Sequence, residues 1–117
     1  MKENIVKDKS FEFALRIVKF YKYFTENKKE YVISKQLLRS GTAVGALVRE
    51  AEQAESKADF IHKLSIALKE ANESDYWLEL LFRSAYIEEN EYTSLNADIK
   101  ELIKLLTSII KTSKNSR

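Results

Sequence analysis

At 117 residues, with no proline and no cysteine, the chain is sized for one domain that buries about two-thirds of its unfolded surface, and it carries neither disulfides nor thiolate metal sites. Its 32% charged and 44% hydrophobic residues set it among well-folded proteins rather than disordered ones, and its apolar runs of a few residues fall short of the ~18–20 that a membrane span needs. The net charge of +2 hides an asymmetry, with 11 Lys/Arg against 5 Asp/Glu through Arg49 and 9 against 13 from Glu50 onward.

Such a division suits packing of a basic half against an acidic one, with nucleic-acid contact by the basic half as the rival reading. The opening MKENIVKDKSFEF lacks the apolar run of a secretion signal. Together with the missing cysteine, which suits a reducing compartment, this makes a cytoplasmic protein the expectation.

The first helix is predicted over 10–26, with Ser10 placed to cap it. Phe13, Ile17, Phe20, Tyr21 and Phe24 share one helical face. Phe11, Ala14, Leu15 and Val18 widen it, and Glu12, Arg16, Lys19, Lys22, Tyr23 and Glu26 lie opposite or at the edge. ENKKE (26–30) reads as the first turn.

The second helix is predicted over 30–55 and contains LLRSGTAVGALVREA (37–51) with both glycines of the chain, Gly41 and Gly45. Each costs a helix interior about 1 kcal/mol relative to alanine. Small residues four apart let a neighbouring backbone come close, and tighter dispersion contact offsets that cost. A phosphate-cradling glycine loop needs a loop feeding a helix and a GK[ST] ending. GTAVGA has helix on both sides, so both glycines read as close-packing positions.

A third helix follows over 56–87, capped by Ser56 with Asp59 as its reciprocal partner. Phe60, Leu64, Ala67, Leu68, Ala71, Leu78, Phe82 and Ala85 form its core stripe. Ser74 and Asp75 fall near that stripe, and a buried Asp75 needs a partner such as Arg39. Ile66, Trp77, Leu80 and Leu81 make a second apolar flank, whereas a bundle helix buries about one face. With the only tryptophan of the chain on it, that flank is expected to face another subunit.

EENEY (88–92) reads as a turn. A fourth helix over 92–111 carries Leu95, Ile99, Leu102, Ile103, Leu106, Ile109 and Ile110, and 112–117 is a frayed basic tail. Short turns between long helices specify an all-α, antiparallel up-down-up-down four-helix bundle as one domain over 1–117.

Little in the chain supports catalysis. His62 is the only histidine, so neither a Ser-His-acid set nor the two-histidine pattern of a di-iron bundle assembles. Glu70 and Glu73 are spaced to share a metal, but salt bridges with Lys63, Lys69 and arginines are the simpler reading. No enzyme, metal, cofactor or small-molecule substrate is expected. Arg16, Lys19 and Lys22 on the first helix, and Lys2, Lys7, Lys9, Lys111, Lys114 and Arg117 at the termini, are the candidates for sequence-independent, salt-sensitive phosphate contact.

QLLRSGTAVGALVREA (36–51) and SKADFIHKLSIALKEANESDYWLELL (56–81) closely resemble the four-helix bundle proteins of the 23S ribosomal RNA intervening-sequence family. The shared motifs are Arg39-Ser40-Gly41-Thr42, Gly45, Glu50-Ala51, Asp59-Phe60-Ile61, Lys63-Leu64, Lys69-Glu70-Ala71, Glu73 and Tyr76-Trp77, and SFEFALRIVKFYK extends the likeness to nearly the whole chain. The resemblance implies a bundle that assembles into a ring, typically a homopentamer. It is similar in fold to the accessory proteins of diversity-generating retroelements, which bind nucleic acid and a reverse transcriptase. Two departures stand out: Ala43 and Leu47 occupy positions that are Ser and Asn in the family pattern, and the near-neutral charge is weaker than that of the retroelement relatives.

The expectation is therefore a non-enzymatic oligomeric bundle engaging RNA or a ribonucleoprotein. Arg39, Glu50, Lys63, Lys69, Glu70 and Glu73 are expected to build salt bridges within and between subunits. The alternative is a protein-interaction adaptor with no nucleic-acid role.

Overall fold

The computed structural model describes residues 2–116. Among them the chain forms four α-helices, α1 (Lys2–Lys28), α2 (Val32–Ala51), α3 (Lys57–Arg83) and α4 (Glu89–Asn115), and no strand. Each helix packs on its chain neighbour, and α1 meets α4 to close a four-cornered bundle about 50 × 21 × 19 Å. The core runs along the axis, from Phe13, Ile17 and Phe24 of α1 through Leu37 and Val44 of α2 to Leu64 and Leu78 of α3 and Ile99, Leu102 and Leu106 of α4.

Helix α1 begins about two turns before Ser10. Val6, Ser10, Phe13 and Ile17 continue one buried stripe, so the serine lies inside the helix, its Oγ donating to Lys7 O at 3.1 Å. Phe11, Leu15 and Val18 do not widen the core. They are 49%, 48% and 50% exposed, because their side of α1 lies away from the faces packed on its two neighbours, α2 and α4.

The first turn is made by the chain's own chemistry. Lys29 takes a left-handed φ of 60° that stops α1. Glu30 then folds its carboxylate over the start of α2, accepting from the amides of Val32 (3.0 Å), Ile33 (2.8 Å) and Ser34 (2.8 Å). These are the orphan donors at the positive end of the helix. Glu30 is thus the cap of α2 rather than its first residue.

Helix α3 starts as the sequence indicates, with Ser56 Oγ accepting from Asp59 N at 3.0 Å. The Asp59 carboxylate reaches one residue further back, to Glu55 N at 3.2 Å. The helix ends at Arg83 instead of 87, in a Schellman motif: Tyr86 N donates to Leu81 O (2.9 Å) and Ala85 N to Phe82 O (3.0 Å). Ala85 sits at the left-handed position, φ 68°, exposed and outside the core stripe.

The turn consequently falls at 84–88, and EENEY opens α4, whose first turn gains Glu89 and Glu91 at its positive end. The segment read as a frayed tail is helical through Asn115, while Arg117 lies outside the described residues.

The glycines stand on the α1–α2 seam. A Cβ on Gly41 would lie 3.1 Å from Cγ1 and Cγ2 of Ile17, and one on Gly45 would lie 3.2 Å from the Ser10 carbonyl oxygen. Gly45 therefore lets α2 approach the α1 backbone itself.

Candidate functional site

Two sets of side chains require placing: the charged and aromatic residues on the α2–α3 side, and the basic residues of α1. On the first, the Arg39 guanidinium spans Glu70 at 3.2 Å and Glu73. Trp77 Nε1 donates to Glu73 Oε2 at 3.0 Å. The Trp77 hydrogen bond and the Arg39 charge outweigh partial burial and hold the Glu73 carboxyl below its ordinary range; the same pairing pushes the Arg39 guanidinium up. Lys63 pairs with Glu50 at 3.3 Å, again across α2 and α3. Lys69 makes no ion pair among the described residues. These pairs lie at partly exposed side chains, where each contributes about 0–1 kcal/mol, and all of them tie α2 to α3.

Asp75 does not reach Arg39. It faces the other way, accepting from Asn96 (2.6 Å) and Lys100 (2.7 Å) of α4, and that hydrogen bond raises the Lys100 ammonium. The position opposite Arg39's stretch of helix is filled by Ser74, buried, whose hydroxyl donates to buried Ser40 at 2.8 Å. No buried side-chain polar atom among the described residues lacks a partner.

Of the apolar flank on α3, Leu81 is a correction. It is 0% exposed in the single chain, lying on the inward stripe beside Leu78, and cannot face a neighbour. Ile66, Trp77 and Leu80 are half-buried. Trp77 packs partly on the core and edge-on against Tyr76, centroids 4.9 Å apart. Leu47, the departure from the family pattern, is half-buried against the core. A second apolar strip that the periodicity had assigned to the core is the Phe11–Leu15–Val18 face of α1, with the Arg49 guanidinium 5.4 Å over the Phe11 ring.

The basic residues separate into two groups. Arg16 is engaged with α4, Nη1 to Asp98 at 2.5 Å and Nη2 to Ser94 at 3.0 Å. Lys7 pairs with Glu52 at 3.3 Å and Lys9 with Glu101 at 3.2 Å, and Lys2 bonds Ser108 at 2.5 Å. Lys19 and Lys22 are exposed and join no ion pair among the described residues. Residues three apart on a helix point about 60° apart, so Arg16, Lys19 and Lys22 fan out rather than converge.

Arg16 and Lys19, with Phe20, Tyr23, Glu91 and Leu95, line an open cleft of about 230 Å³ between α1 and α4. His62 is exposed. No three His, Cys, Asp or Glu side chains among the described residues gather as for a metal ion, and no helix among them is long and apolar enough to cross a membrane.

Sequence reasoning passed over the end of the bundle where α1 turns into α2. Lys28, Lys29 and Lys35 are exposed there, and so are Tyr23 and Tyr31 of the same stretch. The signal was present in YKYFTENKKEYVISK (21–35), where lysines alternate with tyrosines, but ENKKE registered only as a turn.

The family described as 23S rRNA-intervening sequence protein matches residues 2–108. A crystal structure of a protein of unknown function from the S23 ribosomal protein family of Bacteroides thetaiotaomicron is 64% identical and superposes with a TM-score of 0.93, over 95% of this chain and 99% of that one. No curated protein matches the sequence. The four-helix architecture, the match along the helices and the near-complete overlap with that structure agree, and the chain belongs to the 23S rRNA-intervening sequence protein family.

Proposed function

We propose that this chain is a non-enzymatic, cytoplasmic bundle protein that assembles into a homopentameric ring and binds RNA, alone or within a ribonucleoprotein, through the basic surface of α1. The observation that carries the RNA reading is the division among its cations. Lys7, Lys9, Arg16, Arg39, Lys63, Arg83 and Lys100 are held in ion pairs. Lys19 and Lys22 of α1 are among the lysines left to solvent, ready to release counterions from a phosphate backbone. A ring would repeat those lysines around an axis and raise the field that a nearly neutral subunit lacks. The exposed Phe11–Leu15–Val18 strip and the half-buried Trp77 flank supply apolar surface for such assembly.

The test is binding of labelled RNA to wild type and to the Lys19→Glu/Lys22→Glu variant by fluorescence anisotropy. For wild type, log affinity should fall linearly with log salt between about 50 and about 200 mM. The variant should bind at least about tenfold more weakly, with its oligomeric state unchanged. Unaltered binding rejects the assignment. The same exposed apolar strip on α1 favours a second reading, a protein-interaction adaptor, and a salt-insensitive partner with no copurifying RNA would select it.

A further inference from the structure

Five lysines without an ion partner among the described residues lie together in the chain: Lys19, Lys22 and Lys28 on the second half of α1, Lys29 in the turn, and Lys35 in the first turns of α2. All five are exposed. Of the two acids in the same stretch, Glu30 is occupied by the three amides it caps, which leaves Glu26. The α1–α2 turn is therefore rich in uncommitted lysines, and α4 begins at the same end of the bundle with Glu88, Glu89 and Glu91.

The same stretch carries two aromatic rings that the fold does not use. Tyr23 and Tyr31 are 55% and 54% exposed, whereas Phe13, Phe20 and Phe24 of the same helix are buried. Tyr23 also stands at the rim of the α1–α4 cleft, over an apolar floor of Phe20 and Leu95 and beside Lys19.

We propose that this end of the bundle binds single-stranded nucleic acid, with Tyr23 and Tyr31 stacking unpaired bases while the lysines hold the phosphates. The proposal rests on the RNA reading above and specifies the form of nucleic acid and the residues that select it. Positive charge alone would serve a duplex equally well. A tyrosine projecting from a convex helix surface cannot reach the face of a base inside a duplex, but it offers a platform to a base that is already unstacked. Stacking tolerates any base because every base has an aromatic face, so the expected binding is sequence-tolerant and salt-sensitive. Lys19 and Lys28 lie about 13 Å apart along the helix axis and about half a turn apart around it, so the lysines are spread around the end of α1 rather than gathered on a single phosphate.

The experiment compares a short labelled single-stranded RNA with the duplex of the same sequence on the full-length protein, by anisotropy at fixed salt. The single strand should bind about tenfold tighter. Tyr23→Ala and Tyr31→Ala should each weaken it about tenfold while leaving duplex binding unchanged, and Tyr23→Phe should restore it. Equal affinity for single strand and duplex, or insensitivity to both alanine substitutions, overturns the proposal while leaving the RNA reading standing. Binding of neither RNA rejects the RNA reading itself. Polyglutamate that competes as strongly as unlabelled single-stranded RNA at the same charge concentration would reassign the surface to acidic protein and overturn the proposal.

Discussion

Substituting alanine for Gly45 sets helix propensity against packing. In the interior of α2 the change gains about 1 kcal/mol of intrinsic propensity. The new Cβ would stand 3.2 Å from the Ser10 carbonyl oxygen, 3.4 Å from its carbon and 3.6 Å from Phe11 N. All three atoms are backbone of α1 and cannot swing aside as a side chain does. The two helices must instead part by a few tenths of an ångström along the seam where Gly41 lies against Ile17 and Gly45 against Ser10. Overpacking of this kind costs about 1–3 kcal/mol, so the net effect is a destabilisation of about 1 kcal/mol, or a Tm lower by about 3–5 °C for a chain of this size.

Urea unfolding followed by circular dichroism measures it, at one protomer concentration because assembly shifts apparent stability. Ala46→Gly, one position on and exposed, isolates the propensity term and should lose about 1 kcal/mol. If Gly45→Ala instead gains the full propensity increment, α1 and α2 do not meet closely at Gly45, and the glycine has no close-packing role.

Ala85 occupies a left-handed C′ position that glycine takes without strain. Ala85→Gly should therefore raise stability by about 0.5–1 kcal/mol, measured by the same unfolding curve. Glu30→Ala removes the carboxylate over three amides of α2 and should cost about 1 kcal/mol, also visible as earlier hydrogen exchange at Val32–Ser34. Glu73 titrates below its unfolded value because of Trp77 and Arg39; its contribution is complete above about pH 4.3 and lost as pH falls through the lower folded value. Glu73→Gln should accordingly flatten the acid limb of the stability–pH curve without changing its slope above pH ~6. Trp77→Ala should loosen or split the oligomer on size-exclusion chromatography, and unaltered elution would return Trp77 to packing within its own bundle.

The helices were legible because their apolar spacing is strong. Leu95 through Ile110 follows the 3.6-residue period without a gap, and α4 buries that face. Boundaries were less legible where the stop signal is carried by unusual residues. Lys29 and Ala85 terminate helices in a left-handed conformation usually given to glycine or asparagine; the first falls inside the ENKKE turn that the sequence indicates, whereas nothing in the side chain of Ala85 announces the second. Ser10 was misread because a serine before an apolar run is a good cap in isolation. Here it lies buried inside α1, where its backbone carbonyl meets Gly45.

Asp75 was given the wrong partner because helical position alone does not say whether a side chain leans toward α2 or α4. Leu81 was assigned to the flank although it continues the three-four spacing of Leu64, Ala67, Ala71, Ser74 and Leu78; grouping it with its neighbour Leu80 hid that. The charged pairs of Arg39 with Glu70 and Glu73 were readable as residue types, but not the indole of Trp77 that completes the set. The lysine–tyrosine end was the least legible part, since its meaning depends on which cations the fold has already paired.

The measurement that bears most directly on the proposed role is native mass spectrometry of the protein purified without nuclease treatment. The account requires a clean multiple of the 13.6 kDa subunit, five-fold in the proposed ring, carrying heterogeneous additional mass that a single-strand-specific ribonuclease removes. A bare 13.6 kDa monomer would contradict both the assembly and the RNA binding proposed for it.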